Sequence, residues 1–557
     1  MKERSLFVVG AAGEGIQTIG DVVARCFLSH GYATFATSEF ESRIRGGNSS
    51  VRIRVTEEPR NAPRETADVL LAVNPTALEH YRPALCEGGL LITSTGPGGP
   101  DGDAVRIPFT DLAVEHGGAT IYANAVAAGA LCAGVGLPFA TLEQVLTQAF
   151  SKRGEETIRA NLAAARAGFD VAAPQLNDRA VSEIPARANR YAFASAHETI
   201  PIAAAAAGCR FMAAYPMSPS TGIITAFAQH PELGVFSEQA EDEIAAINMA
   251  LGASAAGARA MTATSGGGFA LMVEGISLAG MIETPVVIVL AQRPGPATGL
   301  PTRTAQEDLL FALHAGHGEF PRALLAPSDP QDAIRATIRA FDLADRYQIP
   351  VIILTDQFLA DSRFSLTALE IPEALPGPCF ADPEAIENYE RYRFTEDGVS
   401  PRLYFGQSGH LVVLDSDEHT ERGHITEDLA NIRPAMVEKR LEKGRRLRRE
   451  MAQPRSNRSE DADLVLIGWG STEGAITEAV ERLRAGGRKA GSLHFTEVWP
   501  LPDIAFRDDV RYWTIEGNAT GQFAGLLESE TGIPIEGRIG RYDGLPIDAE
   551  RILEALE

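Results

Sequence analysis

Four stretches constrain the fold most: RFMAAYP (210–216), RAMTATS (259–265), PVVIVLAQR (285–293) and IPVIILTD (349–356). Each is almost continuously apolar, with no alternation of polar and apolar positions. A strand without a polar face must be covered on both sides, which is how parallel strands joined by crossover helices are buried. The connecting segments EDEIAAINMALGASAAG (241–257), GFALMVEGISLAGMI (268–282) and 331–347 read as those helices, and ALLAPSD (323–329) as a further strand. Residues 190–370 are therefore expected to form one α/β domain around a parallel sheet.

The remainder repeats the style. Residues 5–29, SLFVVGAAGEGIQTIGDVVARCFLS, read as a buried strand, a glycine loop and a helix whose apolar residues recur at near-helical spacing. DVLLAV (68–73) and GLLITS (89–94) add strands, and helical patterns fill 122–170, so residues 1–180 make a first α/β domain. A third, smaller one spans 461–557, with strands at 462–471, 490–500 and 510–518 and a helix at 473–486. Between them, 371–460 reads as an irregular connection ending in an amphipathic helix near 432–452. Its basic run KRLEKGRRLRRE is expected to be a solvated helical face.

A chain of 557 residues with 45% apolar and 22% charged residues is long enough for several such domains. Its net charge of −24 makes nucleic acid and anionic membrane poor partners. No apolar run approaches the ~20 residues that span a bilayer, and MKERSLFVVGAAGEG does not read as a signal peptide. Cys26, Cys86, Cys132, Cys209 and Cys379 are scattered without a CxxC pair, which argues against a disulfide framework and against a four-thiolate cluster, and suits a reducing cytoplasm.

In open α/β sheets ligands sit outside the carboxyl ends of the strands. Three loops of the central domain fall there. AAYPMSPSTGI (213–223) presents Ser218, Ser220 and Thr221 on a turn stiffened by Pro216 and Pro219. TATSGGGFALM (262–272) carries Gly266, Gly267 and Gly268, which permit close approach of a ligand. LAQRPGPATGLPTRTAQEDL (290–309) delivers Arg293 at a strand end, where a guanidinium can hold a carboxylate. Each feature also has a plain reading: a turn, a helix-entry device, a surface arginine. Glu243, at a helix start, can equally be an acid that favours the helix dipole. Residue spacing alone supports an α/β enzyme with a site at the 218/266/293 edge.

YPMSPST, EQAEDEIAAINMALGASAAGARAMTATSGGGFALMVEGISLAGM and AQRPGPATGLPTRTAQEDLLFALHAGHGEFPR closely resemble the α subunit of 2-oxoacid:ferredoxin oxidoreductases, of the 2-oxoglutarate-like class with a fused γ domain. GAAGEGIQTIGDVVA and SRIRGGNSSVRIRV are similar to that γ domain. GHITEDLANIRPAMVEKRL and IEGNATGQFAGLL resemble later parts of the α subunit. The resemblance implies three α/β domains: a γ domain, a thiamine diphosphate pyrimidine-binding domain and a transketolase C-terminal-like domain. It also implies oxidative decarboxylation of a 2-oxoacid with coenzyme A, electrons passing through iron–sulfur clusters to ferredoxin. The Gly-Asp-Gly diphosphate motif and the cluster cysteines are not in this sequence. They are expected, with Mg²⁺ and a [4Fe-4S] cluster, on a β subunit, in a dimer of αβ heterodimers.

The resemblance also assigns residues. Glu243 would bond the aminopyrimidine ring, with Glu238 and Glu241 as competitors. Gly266 and Gly267 would line the cofactor. Ser218 would touch the 2-oxoacid and Arg293 its carboxylate, and Arg303, His314 or His317 would meet a second carboxylate. Gly13, Gly15 and Arg45 would help hold coenzyme A, although GAAGEG lacks the dinucleotide spacing and its glycines can be packing residues. Relatives often carry Asn where this chain has His197, and Gly-Pro-Gly where it has Gly266–Gly268. His197 is expected to be a structural hydrogen-bonder. A branched-chain or aryl 2-oxoacid is the alternative substrate, and a scaffold that binds acyl-CoA or a nucleotide without turnover is the alternative to an enzyme.

Overall fold

The computed structural model describes residues 3–42, 46–94, 104–176 and 183–557, so Arg45 lies outside the described residues. The chain forms two compact units, one of residues 1–194 with 362–369, the other of 195–361 with 370–557.

The first unit is built on a mixed sheet. Its strands run in the order Val105–Ile107, Leu85–Ser94, Ala67–Ala72, Glu3–Ala12, Gly46–Thr56, Ala33–Glu39, Arg363–Leu366, Ala192–Ala194. Glu3–Ala12 is parallel to Ala67–Ala72 and antiparallel to Gly46–Thr56. The residues 363–366 fall within the span expected for the central domain, but they pair instead with Ala33–Glu39 of this sheet. Helices Ile16–Ser29, Ala123–Val135 and Phe139–Ala149 contribute apolar faces to one core with the strands.

The second unit carries two sheets. The larger runs Glu497–Trp499, Ala323–Leu325, Pro350–Asp356, Val286–Gln292, Arg259–Thr264, Cys209–Ala214, Phe236–Gln239. All neighbours are parallel except the first pair. Val286–Gln292 and Pro350–Asp356 are buried along their whole length, as their unbroken apolar sequence requires. The smaller sheet runs Arg455–Asn457, Ala490–Phe495, Leu464–Trp469, Arg511–Glu516, Gly537–Gly540. The run expected as one strand over 490–500 splits: 490–495 stays in the smaller sheet, and 497–499 crosses to the larger. Among the described residues no single helix is long and apolar enough to cross a membrane.

The basic helix Ile432–Glu450 departs from its expected solvated character. Lys439, Arg440 and Lys443 are buried, with Met436 and Leu447 on the same face. Lys439 Nζ lies 2.6 Å from Oε1 of Glu283, Lys443 Nζ contacts the other oxygen, and Arg391 donates to the Glu283 carbonyl at 2.6 Å. Burial pushes the Glu283 carboxyl up, but Lys439, Lys443 and Arg391 together hold it well below the usual carboxylate range. This cluster pins the helix to the end of the segment preceding strand Val286–Gln292. Glu283→Gln strands two buried ammonium groups and is expected to cost about 3–5 kcal/mol in urea unfolding. Adding Lys439→Met and Lys443→Met to that variant should recover most of the loss. Because the folded carboxyl lies below its unfolded value near ~4.3, this stabilisation is present at neutral pH and fades as pH falls below that value, a fade that Glu283→Gln removes.

Candidate active site

Cys209–Ala214, Arg259–Thr264 and Val286–Gln292 are adjacent and in register: Met212 pairs with Met261, Met261 with Val287 and Thr264 with Leu290. Their carboxyl ends therefore coincide, and the loops that follow leave one sheet edge. The Nη1 of Arg293 donates to the Ser218 carbonyl at 2.6 Å. A Cβ on Gly267 would stand 3.9 Å from both the Ala297 carbonyl oxygen and the Met217 sulfur. The three loops predicted to share an edge thus meet. Of the two serines in the turn, Ser220 is buried and returns its hydroxyl to the Met217 carbonyl at 2.7 Å, whereas Ser218 is exposed.

Glu243 enters from the neighbouring strand. Phe236–Gln239 leads into helix Glu243–Ala255, whose N-cap Asp242 accepts from the Ala245 N–H. Glu241 is exposed and Glu238 partly so, but Glu243 is 2% exposed. Its Oε1 has no hydrogen-bond partner. A Cβ on Gly268 would lie 2.4 Å from that oxygen and 2.1 Å from Thr264 Oγ1, so only glycine fits there. Burial raises the Glu243 carboxyl and Asp242 adds to the rise, against its backbone N–H bond. Desolvation therefore outweighs that hydrogen bond. On the same helix Ile247 and Leu251 pack inward, while Ile244 is 49% exposed.

Asp308 was not singled out from the sequence. It is the N-cap of helix Leu309–His314, yet its side chain caps nothing, and Oδ2 is buried without a partner. That oxygen is 2.7 Å from where a Cβ on Gly266 would be. Burial, with Glu307 adding and Arg293 opposing, pushes its carboxyl up to about 6. Ser265, between Thr264 and Gly266, also has a buried hydroxyl without a partner. Three buried, partnerless polar atoms thus lie beside a triple glycine at one edge, two of them acid oxygens able to bond ring nitrogens.

His197 braces the edge from below. Its Nε2 is 2.7 Å from the Pro219 carbonyl and its Nδ1 is 3.2 Å from Asp361 Oδ1. A carbonyl can only accept, so Nε2 carries hydrogen. Successive carbonyls, Ser218 and Pro219, are thereby gripped by Arg293 and His197. This is the structural hydrogen-bonding role expected of His197.

The other predicted residues have different surroundings. Arg303 packs by its Cβ against Gly544. His314 lines a cavity of about 680 Å³ and His317 one of about 320 Å³, neither of which includes Ser218, Glu243, Gly266 or Arg293. In the first unit Gly13 and Gly15 have φ of +93° and +72° in the turn between strand and helix. A Cβ on Gly15 would overlap Asn124. Glu14 Oε2 takes the Ala11 N–H at 2.7 Å and the Asn74 amide at 2.5 Å. A cavity of about 250 Å³ beside this loop is lined by Gly13, Glu14, Thr120 and Asn124 among others.

Two family models match the chain: pyruvate ferredoxin/flavodoxin oxidoreductase over residues 5–171, and the thiamine diphosphate-binding part of pyruvate flavodoxin/ferredoxin oxidoreductase over 202–439. The chain is 31% identical to the α subunit of 2-oxoacid:ferredoxin oxidoreductase 1 from Aeropyrum pernix, over 100% of this chain and 97% of that one. It is 36% identical to the 2-oxoglutarate synthase subunit KorA of Methanocaldococcus jannaschii, over 53% of this chain and 80% of that one. A solved 2-oxoglutarate:ferredoxin oxidoreductase from Magnetococcus marinus, with 2-oxoglutarate, coenzyme A and succinyl-CoA bound, superposes with a TM-score of 0.91 at 32% identity, covering 100% of this chain and 99% of that one. An α/β fold with a thiamine diphosphate-binding domain is thus the class. The chain belongs to the family of 2-oxoacid:ferredoxin oxidoreductase α subunits, and is one subunit of an oxidoreductase.

The two glycines respond differently to the same change. Gly267→Ala has open space and should bind thiamine diphosphate in the assembled enzyme as the wild type does. Gly268→Ala forces the Glu243 carboxylate or Thr264 aside and should weaken that binding at least tenfold, read by calorimetry.

Proposed function

We propose that this chain is the pyrimidine-binding and substrate-gripping subunit of a thiamine diphosphate-dependent enzyme that oxidises 2-oxoglutarate. The overall reaction converts a 2-oxoacid, coenzyme A and two oxidised ferredoxins into acyl-CoA, carbon dioxide, two reduced ferredoxins and a proton. The observation that carries this reading is the buried, partnerless Oε1 of Glu243 against Gly268, at the same edge as Ser218 and Arg293.

When bound, thiamine diphosphate supplies the nucleophilic carbon and the electron sink for loss of carbon dioxide. Glu243 is the group that holds a proton toward the aminopyrimidine ring. Its raised pKa suits an acid that shares a proton rather than one that keeps a full charge. Gly266 and Gly268 admit the ring's face without side chains, and Gly267 lines it where a Cβ still has room. Arg293, half-buried and anchored on the Ser218 carbonyl, offers its remaining N–H groups to the 2-oxoacid carboxylate. The Ser218 hydroxyl stands beside it for the oxo end. Arg303 is the candidate for the distal carboxylate of 2-oxoglutarate, a substrate supported by the KorA relatives and by the solved neighbour that holds it.

The diphosphate, Mg²⁺ and a [4Fe-4S] cluster are assigned to a β subunit, with ferredoxin as acceptor, a dimer of αβ heterodimers as the assembly and the cytoplasm as its place. Exposed apolar side chains on the loops and helices that leave this edge, Tyr215, Ile244, Leu271, Leu300 and Phe311, support a partner that covers it. Coenzyme A is assigned to the first unit, at the Gly13–Gly15 loop. Glu14 already occupies the Ala11 N–H, so that loop offers close backbone approach, and the positive charge comes from Arg45.

Glu243→Gln should slow exchange of the cofactor's C2 hydrogen by ~10²–10⁴-fold, the range for general acid–base assistance, while Glu238→Gln leaves it near wild type. NMR after acid quench of the assembled enzyme reads this. Arg293→Ala should lose ~2–4 kcal/mol in kcat/KM for 2-oxoglutarate without changing cofactor affinity. Arg303→Ala should penalise 2-oxoglutarate more than pyruvate in the same assay. Equal losses on both substrates remove Arg303 from the distal site.

A further inference from the structure

Helices Leu309–His314, Ile432–Glu450 and Gln522–Thr531, with residues 318–322, surround the cavity of about 680 Å³ that His314 lines. This is the size of a small-molecule site. Leu310, Leu313, Phe320, Leu441, Trp499 and Leu526 make its walls largely apolar.

Arg322 lines the same cavity and is 6% exposed. Its Nη1 donates to the carbonyls of Ala312, at 3.3 Å, and Ala315, and its guanidinium stands 4.4 Å from the Phe320 ring centroid. Among the described residues Nε and Nη2 have no acceptor, and no carboxylate forms an ion pair with the group. Arg259 and Arg402, also deeply buried in this unit, share Asp345, Arg440 holds Glu418 and Arg541 holds Asp543, while Arg391, which has no carboxylate in contact among the described residues, spreads its donors over the Gln348 amide oxygen and the Ile282 and Glu283 carbonyls. Burial alone acts on the Arg322 charge and draws its pKa down to about 10. A desolvated cation without a counter-ion is costly, and here the group lines a largely apolar cavity.

The surroundings narrow the ligand. The Nε–Nη2 edge of a guanidinium matches the two oxygens of one carboxylate. Glu319 and Glu530 also line the cavity, so a phosphate dianion would meet repulsion, and Arg538 is taken by Glu528. We propose that this cavity binds a free monocarboxylate with an aliphatic or aromatic body, its carboxylate on the Nε–Nη2 edge of Arg322 and its body among Leu310, Leu313, Leu441 and Trp499. The site is distinct from the Ser218–Arg293 edge. Helix Leu309–His314 starts beside Asp308 at that edge and ends at the cavity, so an occupant would rest on the helix whose first turn adjoins the candidate active site.

The test is calorimetry with 3-phenylpropionate and its neutral amide, on the full chain and on the chain assembled with its partner subunits. The acid should bind one to one in both preparations, at least tenfold more tightly than the amide, and Arg322→Met should abolish the difference. Gly525 lines the cavity, and a Cβ there meets nothing within 4 Å, so Gly525→Phe directs a ring into the space and should abolish binding. Equal binding of acid and amide, binding that survives Gly525→Phe, or no binding at all overturns the proposal. Binding by the free chain that vanishes on assembly overturns it too, and gives Arg322 to a subunit contact instead.

Discussion

The close contact between the Glu243 carboxylate and Gly268 is the constraint around which the second unit is arranged. It requires strand Phe236–Gln239 beside Cys209–Ala214, so that the helix starting at Glu243 opens toward the next loop but one. It also requires glycine at 268, because any side chain there would strike the acid. The two helices that meet here, Glu243–Ala255 and Gly266–Met281, are rich in Ala and Gly, and Gly275 packs directly on Ile247. Close helix packing carries the carboxylate into a desolvated position, and desolvation raises its pKa. The chemistry proposed for the residue is thus a consequence of its packing.

A second constraint fixes the substrate side. Arg293 and His197 hold consecutive carbonyls of the Ser218–Pro219 turn from different elements, one at a strand end and one on a helix. The arginine is kept cationic by chemistry and close to Asp308 by the fold. The histidine also reaches Asp361, its Nδ1 3.2 Å from Oδ1. The turn that presents Ser218 is therefore braced from both sides, and the arginine proposed to meet the substrate is itself anchored through a neutral carbonyl. That anchor leaves the guanidinium's charge available, since it is not spent on a carboxylate of the protein.

Much of this was legible in the sequence. Unbroken apolar runs revealed the parallel strands, and the Ser-Pro, triple-glycine and Arg-Pro-Gly loops after them fell at one edge. The failures have physical causes. Strand Arg363–Leu366 joins a sheet whose other strands lie more than 150 residues away, a pairing that local periodicity cannot report. The basic helix looked solvated because composition shows the charges of Lys439 and Lys443 but not the lone acid, Glu283, that draws them inside. Asp308 reads as an ordinary helix-capping acid, and only the structure shows that it caps nothing. Likewise, His314 and His317 share a stretch with Arg303, yet a turn of helix turns them toward other cavities.

The central claim is that this chain holds one half of a thiamine diphosphate site, its acid and its substrate arginine, and that the other half comes from a partner. Calorimetric titration of thiamine diphosphate with Mg²⁺ tests it most directly, first into the purified chain and then into the chain assembled with a subunit carrying the Gly-Asp-Gly motif. The account predicts weak or undetectable binding by the chain alone and tight, stoichiometric binding after assembly. Tight binding by the chain alone, accompanied by 2-oxoacid-dependent reduction of viologen, would contradict it.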